Sequence, residues 1–175
     1  IGAISLDGLN NLVKEIRAKD IPVIDVINGI SSPELSAKSL VSFGEMGAKA
    51  AITARKSDEL DHAVSRLNGQ NITVQSFVND IGKREAIAPL ADAVLKKFGK
   101  VDILVNNAGA TWGAPAEQHP LEAWDKLVNV NLSGAFVLTQ IIALKSMIPA
   151  KWGRIVNVAS VAGLMGQDPR FAPTA

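Results

Sequence analysis

Short apolar runs separated by amphipathic stretches recur along this chain, and that alternation leaves few folds open. The runs fall at 21–28, 50–54, 72–78, 101–106 and 154–159 and are mostly Val, Ile, Ala and Leu. Such short aliphatic runs suit strands buried on both faces. Helical spacing appears between them, at 33–46, 57–67, 83–98 and 121–148. In the third, Ile87, Leu90, Ala91, Val94 and Phe98 form one stripe, and Gly99 supplies a stop signal. Strand and helix in alternation predict an α/β fold, a doubly wound parallel sheet with helices on both faces. The stretch 121–148 is long for one helix of a small domain. It is expected to be two helices meeting near Asn131, with Leu127, Val128, Leu132, Phe136 and Gln140 on one face. Pro149 and Gly153 bracket the turn into the last strand. Residues 1–20 differ. Leu9, Leu12, Val13 and Ile16 make an amphipathic stripe with Asp7 as a candidate N-cap, so an atypical helix should precede the first strand.

Composition narrows the function classes. A chain of 175 residues reads as a single domain over 1–175. Hydrophobic residues at 47% and charged residues at 20% are ordinary for a globular protein. A net charge of +1 gives no electrostatic reason to expect nucleic acid or an anionic membrane as partner. No cysteine is present, which excludes disulfides and thiolate metal sites. His62 and His119 are isolated and match no ligand pattern, so no metal is expected, and a surface role is expected for His119. Trp124 and Trp152 are expected in the core or an interface, and Ser133 and Ser146 as structural. The apolar runs all look shorter than the ~20 residues of a membrane span. The start, Ile1-Gly2-Ala3-Ile4, has neither Met nor a basic segment and does not read as a signal peptide. It reads as a chain whose true beginning lies upstream.

In an open parallel sheet, ligands bind beyond the carboxyl ends of the strands, near the switch in strand order. The informative residues sit at such ends. Asn28-Gly29 ends the first predicted strand, Arg55 follows the second, Asp80 the third, Asn106-Asn107-Ala108-Gly109 the fourth and Ser160 the fifth. This shared placement is a stronger signal than any one motif.

Three segments carry a resemblance. Asn106-Asn107-Ala108-Gly109 follows Val101-Asp102-Ile103-Leu104-Val105. Asn131 lies in Asn129-Val130-Asn131-Leu132-Ser133-Gly134, and Ser160 precedes Val161-Ala162-Gly163. Together they resemble the classical short-chain dehydrogenase/reductase family over about 21–170, most strongly from 47 onward. The text around Trp112 and at 167–173 is similar to gluconate 5-dehydrogenase-like or 3-oxoacyl-carrier-protein reductase-like members. The resemblance implies a Rossmann-like sheet and a cytoplasmic, homo-oligomeric (tetrameric or dimeric) oxidoreductase. It would move a hydride between NADP(H), or alternatively NAD(H), and a small ketone or secondary alcohol. It also implies roles. Ser160 would hold the carbonyl oxygen, and Asn131 would hold a relay water, although a helix cap also explains an asparagine there. Asn107, Ala108 and Gly109 would lie against the cofactor ribose. Asp80 would meet the adenine, or cap the next helix. Trp112 would line the substrate cleft, or pack under its loop.

The phosphate turn departs from the family pattern, Thr-Gly-x-x-x-Gly-x-Gly. Here it reads Asn28-Gly29-Ile30-Ser31-Ser32-Pro33-Glu34-Leu35. The first glycine is kept, and Asn28, Gly29 and Ser31 are the candidate pyrophosphate contacts. Pro33 and Leu35 stand where the other glycines belong, and Glu34 brings negative charge towards a phosphate. One reading is an altered phosphate site; the other is an ordinary strand–turn–helix without one. Asp25, a charge inside a predicted central strand, adds to the anomaly. At the end of the second strand, NAD-binding relatives place an acid. Here Ala54 is followed by Arg55 and Lys56, two cations that suit a 2′-phosphate and hence NADP(H), or that form a solvated pair.

The family's proton donor is a tyrosine in Tyr-x-x-x-Lys, and the sequence contains no tyrosine. The expectation is that the sequence stops within a few residues of it, and that the domain continues beyond 175 as in relatives. Two rival functions remain at this point: a non-catalytic nucleotide- or protein-binding domain derived from a dehydrogenase, and an inactive fragment with an uncovered sheet edge.

Overall fold

The computed structural model describes residues 22–26, 41, 44, 45 and 47–160, the first five as backbone. Among the described residues, five strands and three helices make up the main architecture. They are β1 (Pro22–Val26), β2 (Lys49–Ala54), α1 (Ser57–Asn68), β3 (Val74–Val78), α2 (Arg84–Phe98), β4 (Ile103–Asn106), α3 (Leu121–Ala150) and β5 (Arg154–Asn157). All four strand pairs are parallel, in the order β3-β2-β1-β4-β5. Strand order reverses at β1, so the switch point lies between β1 and β4. The predicted helix at 1–20 lies outside the described residues, as does most of the one at 33–46.

Alternation along β2 shows both faces covered. Ala50, Ile52 and Ala54 point to one face and pack with Leu60 and Leu67 of α1 and with Ile72. Ala51 points to the other, into a cluster with Ile87, Leu90 and Val94 of α2 and Leu138 and Ile142 of α3. Ile52, Leu67, Ile87, Leu104, Leu138 and Ile142 are all below 2% exposed, and each contributes roughly 1.5–3 kcal/mol by burial.

Local chemistry sets the element ends. In α1, Asp58 and Glu59 occupy the first turn and Arg66 the last, matching the helix dipole. The Ile72 N–H bonds back to the Leu67 carbonyl at 3.1 Å, so β3 begins at Val74 and not at 72. Gly99 ends α2 with φ of 79° and donates to the Leu95 carbonyl at 2.8 Å. Only glycine adopts that conformation without strain.

Two expectations about α3 fail. It is one continuous helix of 30 residues, not two. Wide π turns at Asn129–Gly134 and Ala143–Met147 absorb the irregularity, and the backbone at the joints stays right-handed helical, as at Asn129 (φ −66°, ψ −40°) and Ala135 (φ −60°, ψ −43°). The inward face is Ala123, Leu127, Val130, Gly134, Leu138, Ile142 and Met147. The single face expected for Leu127, Leu132 and Phe136 is split: Leu127 is buried, whereas Leu132 and Phe136 are 66% and 65% exposed. Gly134 explains the rotation: a Cβ there would strike the Ile81 carbonyl, so the helix seats that turn against the 81–82 loop.

Helix α3 also corrects the membrane-length reading. By length and composition it could cross a bilayer, with an 18-residue window of mean hydropathy 1.7 that is 28% buried. Its inward polar side chains are bonded to the sheet, however. Ser146, in the second π turn, accepts from the Val101 N–H at 2.7 Å and donates to the Val101 carbonyl at 2.9 Å. The helix is therefore part of the α/β core, with an uncovered apolar outer face.

Candidate active site

The parallel register lines up the carboxyl ends of the strands. Val26 pairs with Asn106, Asn106 with Asn157, and Ala54 with Val78. Two further ladder bonds extend this edge: the Asn79 N–H to the Ala54 carbonyl and the Val158 N–H to the Asn106 carbonyl, both at 2.9 Å. Arg55, Asp80, the 107–109 turn and Ser160 therefore follow the ends of four strands of one sheet, on either side of the switch point.

On the β4 side, long-range polar contacts fix the geometry. Asn106 is 6% exposed. Its Nδ2 donates to Thr139 Oγ1 at 2.9 Å and to Asn157 Oδ1 at 2.8 Å, which uses both amide hydrogens. Asn131, in the first π turn of α3, clasps the backbone of Ala110. Its Oδ1 accepts from the Ala110 N–H at 2.8 Å and its Nδ2 donates to the Ala110 carbonyl at 3.0 Å. Ala108 and Ala110 pack on the core cluster beneath. Asn107 is half-buried, and Ser160 is exposed beyond β5. The three residues from Asn157 can carry Ser160 no further than about 10 Å.

Gly109 is informative for what it does not touch. A Cβ built there would meet nothing nearer than Asn131 Oδ1 at 3.8 Å. Packing among the described residues does not require glycine at this position, and the bare backbone leaves room for a ligand's close approach.

Contacts on the β2 side are short-range. Lys56 bonds Glu59 at 2.8 Å, and that carboxylate holds the ammonium above the ordinary lysine range. The pair of free cations expected here is thus reduced. Arg55 is exposed and makes no hydrogen bond or ion pair with the described residues, while the charge of Lys56 is taken by Glu59. Asp80 Oδ1 accepts from the Gly82 N–H at 3.0 Å, a turn of the Asx type, so Asp80 does not cap α2. Asn79 Nδ2 bonds the Ala86 carbonyl at 2.8 Å.

The match to a family model of short chain dehydrogenases runs over residues 10–172. The chain belongs to the short-chain dehydrogenase family. A 3-oxoacyl-[acyl-carrier-protein] reductase of Thermotoga maritima is 36% identical over 141 residues, covering 81% of this chain and 56% of that protein. A metagenomic short-chain oxidoreductase in complex with NADP superposes with a TM-score of 0.78 at 31% identity, covering 87% of this chain and 69% of the other. An NAD+-bound xylitol dehydrogenase gives a TM-score of 0.75 at 28% identity, covering 87% and 58%. The chain spans about half the length of the relatives it matches, 50%, 56% and 48% for three of them.

Within this family frame, the structure brings Asn107, Ala108, Gly109, Asn131 and Ser160 to the β4–β5 side, and Arg55 and Asp80 to the β2–β3 side. Asn28, Gly29 and Ser31 lie outside the described residues, and so do the replaced glycine positions. Asp25 pairs through its backbone with Ile52 and Val105, in the middle of the sheet. Trp112 is 44% exposed on the loop leaving β4. Trp124 is 47% exposed and outside the core, and it takes the edge of the His119 ring at 6.4 Å between centroids. His119 is not a plain surface residue: its Nε2 is buried without a partner among the described residues. Thr139 and Asn157 escape the motif reading as contributors to this edge, whereas Ser146, expected as structural, bonds Val101 at the opposite end of β4. Polar residues at 131 and 139, two helical turns apart, were the signal that could have found Thr139.

Proposed function

We propose that the protein is an NADP(H)-dependent oxidoreductase that interconverts a small ketone and a secondary alcohol, with NAD(H) as the alternative cofactor. The observation that carries this reading is the edge beyond the switch point. There the open backbone at Gly109 and the Ser160 hydroxyl follow two strands paired at Asn106 and Asn157. The fit to a dinucleotide rests on that open backbone and on the Arg55 guanidinium at the end of β2, uncommitted among the described residues. When bound, the cofactor supplies the hydride. The 107–109 turn, held in place through Ala110 by Asn131, would carry its ribose. Arg55 would take the 2′-phosphate, and Asp80 would border the adenine. Asn28, Gly29 and Ser31 are assigned to the pyrophosphate. Ser160 donates its hydroxyl hydrogen to the carbonyl oxygen, which orients the substrate and stabilises charge developing there. Trp112 borders the substrate. The same oxygen also needs a proton, and with no tyrosine in the sequence that acid is assigned to no residue here.

The full-length protein is expected to consume NADPH with a panel of ketones, and Ser160→Ala to abolish turnover while NADPH still binds. Turnover retained in that variant would remove Ser160 from the mechanism. NADPH bound without turnover of any ketone in the parent protein would favour the non-catalytic binding reading.

We further propose that the protein is a homo-oligomer through the outer face of α3. Trp124, Leu132, Phe136, Leu144 and Ile148 stand between 47% and 66% exposed there, at steps of four or eight residues. Exposed Glu122, Asp125 and Lys126 flank the start of this stripe, and exposed Lys145, which pairs with Asp92, and Lys151 its end. An antiparallel pairing about Phe136 sets acid against base, whereas a parallel one sets like against like. Sedimentation should show dimers or tetramers that Phe136→Glu dissociates. An unchanged oligomer in that variant, or a parent that is already monomeric, would refute the interface.

A further inference from the structure

We propose that Thr139 is a positioning residue whose hydroxyl, through the Asn106 amide and the Asn157 side-chain oxygen, sets the distance between the 107–109 turn and Ser160. This rests on the oxidoreductase reading above. No sequence motif points to Thr139, which lies on the inner side of α3 between the two π turns.

Thr139 Oγ1 accepts one hydrogen of Asn106 Nδ2 at 2.9 Å, and Asn157 Oδ1 accepts the other at 2.8 Å. Asn106 and Asn157 are register partners in adjacent parallel strands, so their side chains stand on the same face of the sheet, the face under α3. The ladder beside them fixes strand spacing, through the Val158 N–H to Asn106 carbonyl bond at 2.9 Å. It does not fix how β5 tilts towards the helix. Among the described residues β5 is held to the sheet by β4 alone. The side-chain chain supplies the restraint. Asn106 opens the 107–109 turn, and Asn157 is three residues from Ser160. A change at Thr139 therefore moves one side of the candidate site against the other without touching either.

The sign of the effect follows from hydrogen count. A buried amide with both hydrogens used cannot lose one acceptor without turning to find another. Turning Asn106 releases Asn157, and β5 with it. Misplacement of about 1 Å between reacting groups can cost on the order of a hundredfold in rate. Cofactor affinity rests on groups outside this tie, namely the turn clasped by Asn131 together with Arg55 and Asp80, and should hold.

The test uses the full-length protein with Thr139→Val, which keeps the volume and removes the hydroxyl, and Thr139→Ser, which restores it. The expected result is a kcat lower by roughly tenfold to a hundredfold in Thr139→Val, an NADPH Kd within about twofold of the parent, and recovery of kcat in Thr139→Ser. Should Thr139→Val fail to fold, Asn157→Ala breaks the same chain from its exposed end and should show the same loss confined to kcat. An unchanged kcat, equal losses in kcat and NADPH affinity, or no recovery in Thr139→Ser would each overturn the proposal. A second readout needs no turnover. In 1H–15N spectra, Thr139→Val should shift the Asn106 side-chain amide and the Ser160 backbone amide together, and Thr139→Ser should return both. A protein inactive towards every ketone would defeat the oxidoreductase reading while leaving this tie to be judged by the spectra. Spectra in which only Asn106 moves would defeat the tie.

Discussion

The two sides of the switch point are built differently. Beyond β4 and β5, the polar side chains reach far along the sequence: Asn131 to Ala110 across 21 residues, Asn106 to Thr139 across 33, Asn106 to Asn157 across 51. Beyond β2 and β3 they stay local: Asp80 to Gly82 across two residues, Lys56 to Glu59 across three, Asn79 to Ala86 across seven. Long-range bonds fix one element against another, whereas local ones shape a single turn. The β4–β5 side is thus preorganised, with its hydrogen-bonding capacity spent on the protein. The β2–β3 side keeps an exposed cation for whatever arrives. An edge that combines a rigid half with a chemically open half suits a reaction in which one half aligns atoms and the other recognises a handle.

The largest expected effect comes from the β4–β5 side where its long-range bonding is most buried, at the amino end of β4. Ser146 is 7% exposed and satisfies both the N–H and the carbonyl of Val101, two residues before β4. Ser146→Ala leaves both groups without a partner in a site closed to water, at a cost of roughly 2–4 kcal/mol. The counterpart in the open half, Asp80→Ala, frees the Gly82 N–H in a half-exposed turn and should cost under about 1 kcal/mol. Urea midpoints of both variants measure the difference. Equal losses would mean that the two halves are not distinct in the way their contacts suggest.

The α/β architecture was legible because strands buried on both faces read as aliphatic runs, and 50–54 and 101–106 lie within a residue or two of β2 and β4. The course of α3 was not legible. Periodicity sees a helix but cannot weigh Gly134, whose missing Cβ lets the chain lie on the Ile81 carbonyl and turns Leu132 and Phe136 outward. Its length was misjudged for a related reason. A helix that long is unusual in a small domain and Asn131 reads as the junction, yet Asn131 sits in a π turn of a continuous helix and bonds Ala110. At the candidate site, residues within one motif, such as the 107–109 turn, could be found from sequence. The contacts of Thr139 and Asn157 could not, because each depends on strands and helices distant in sequence meeting in register. The pairing of Lys56 with Glu59 lay three residues apart across the N-cap of α1, and the helical period could have shown it.

That pairing sharpens the comparison within the open half itself. Arg55 and Lys56 are adjacent cations at the end of β2, but Glu59 draws on Lys56 and not on Arg55. A cofactor 2′-phosphate would have to compete with that carboxylate for Lys56, while Arg55 offers its planar fork without such competition. Arg55→Ala should raise the KM for NADPH by about tenfold, the worth of one charge-assisted contact, and leave that for NADH nearly unchanged. Lys56→Ala should raise it less than threefold, within the range of a screened surface charge. Glu59 raises the lysine's pKa, so the pair persists wherever an ordinary lysine is protonated and loosens only as pH rises through the raised value. The ratio between the two variants should therefore be flat across neutral pH. Equal effects of both substitutions on NADPH and NADH would mean that this end of β2 reads no phosphate, and the open half would have lost its handle.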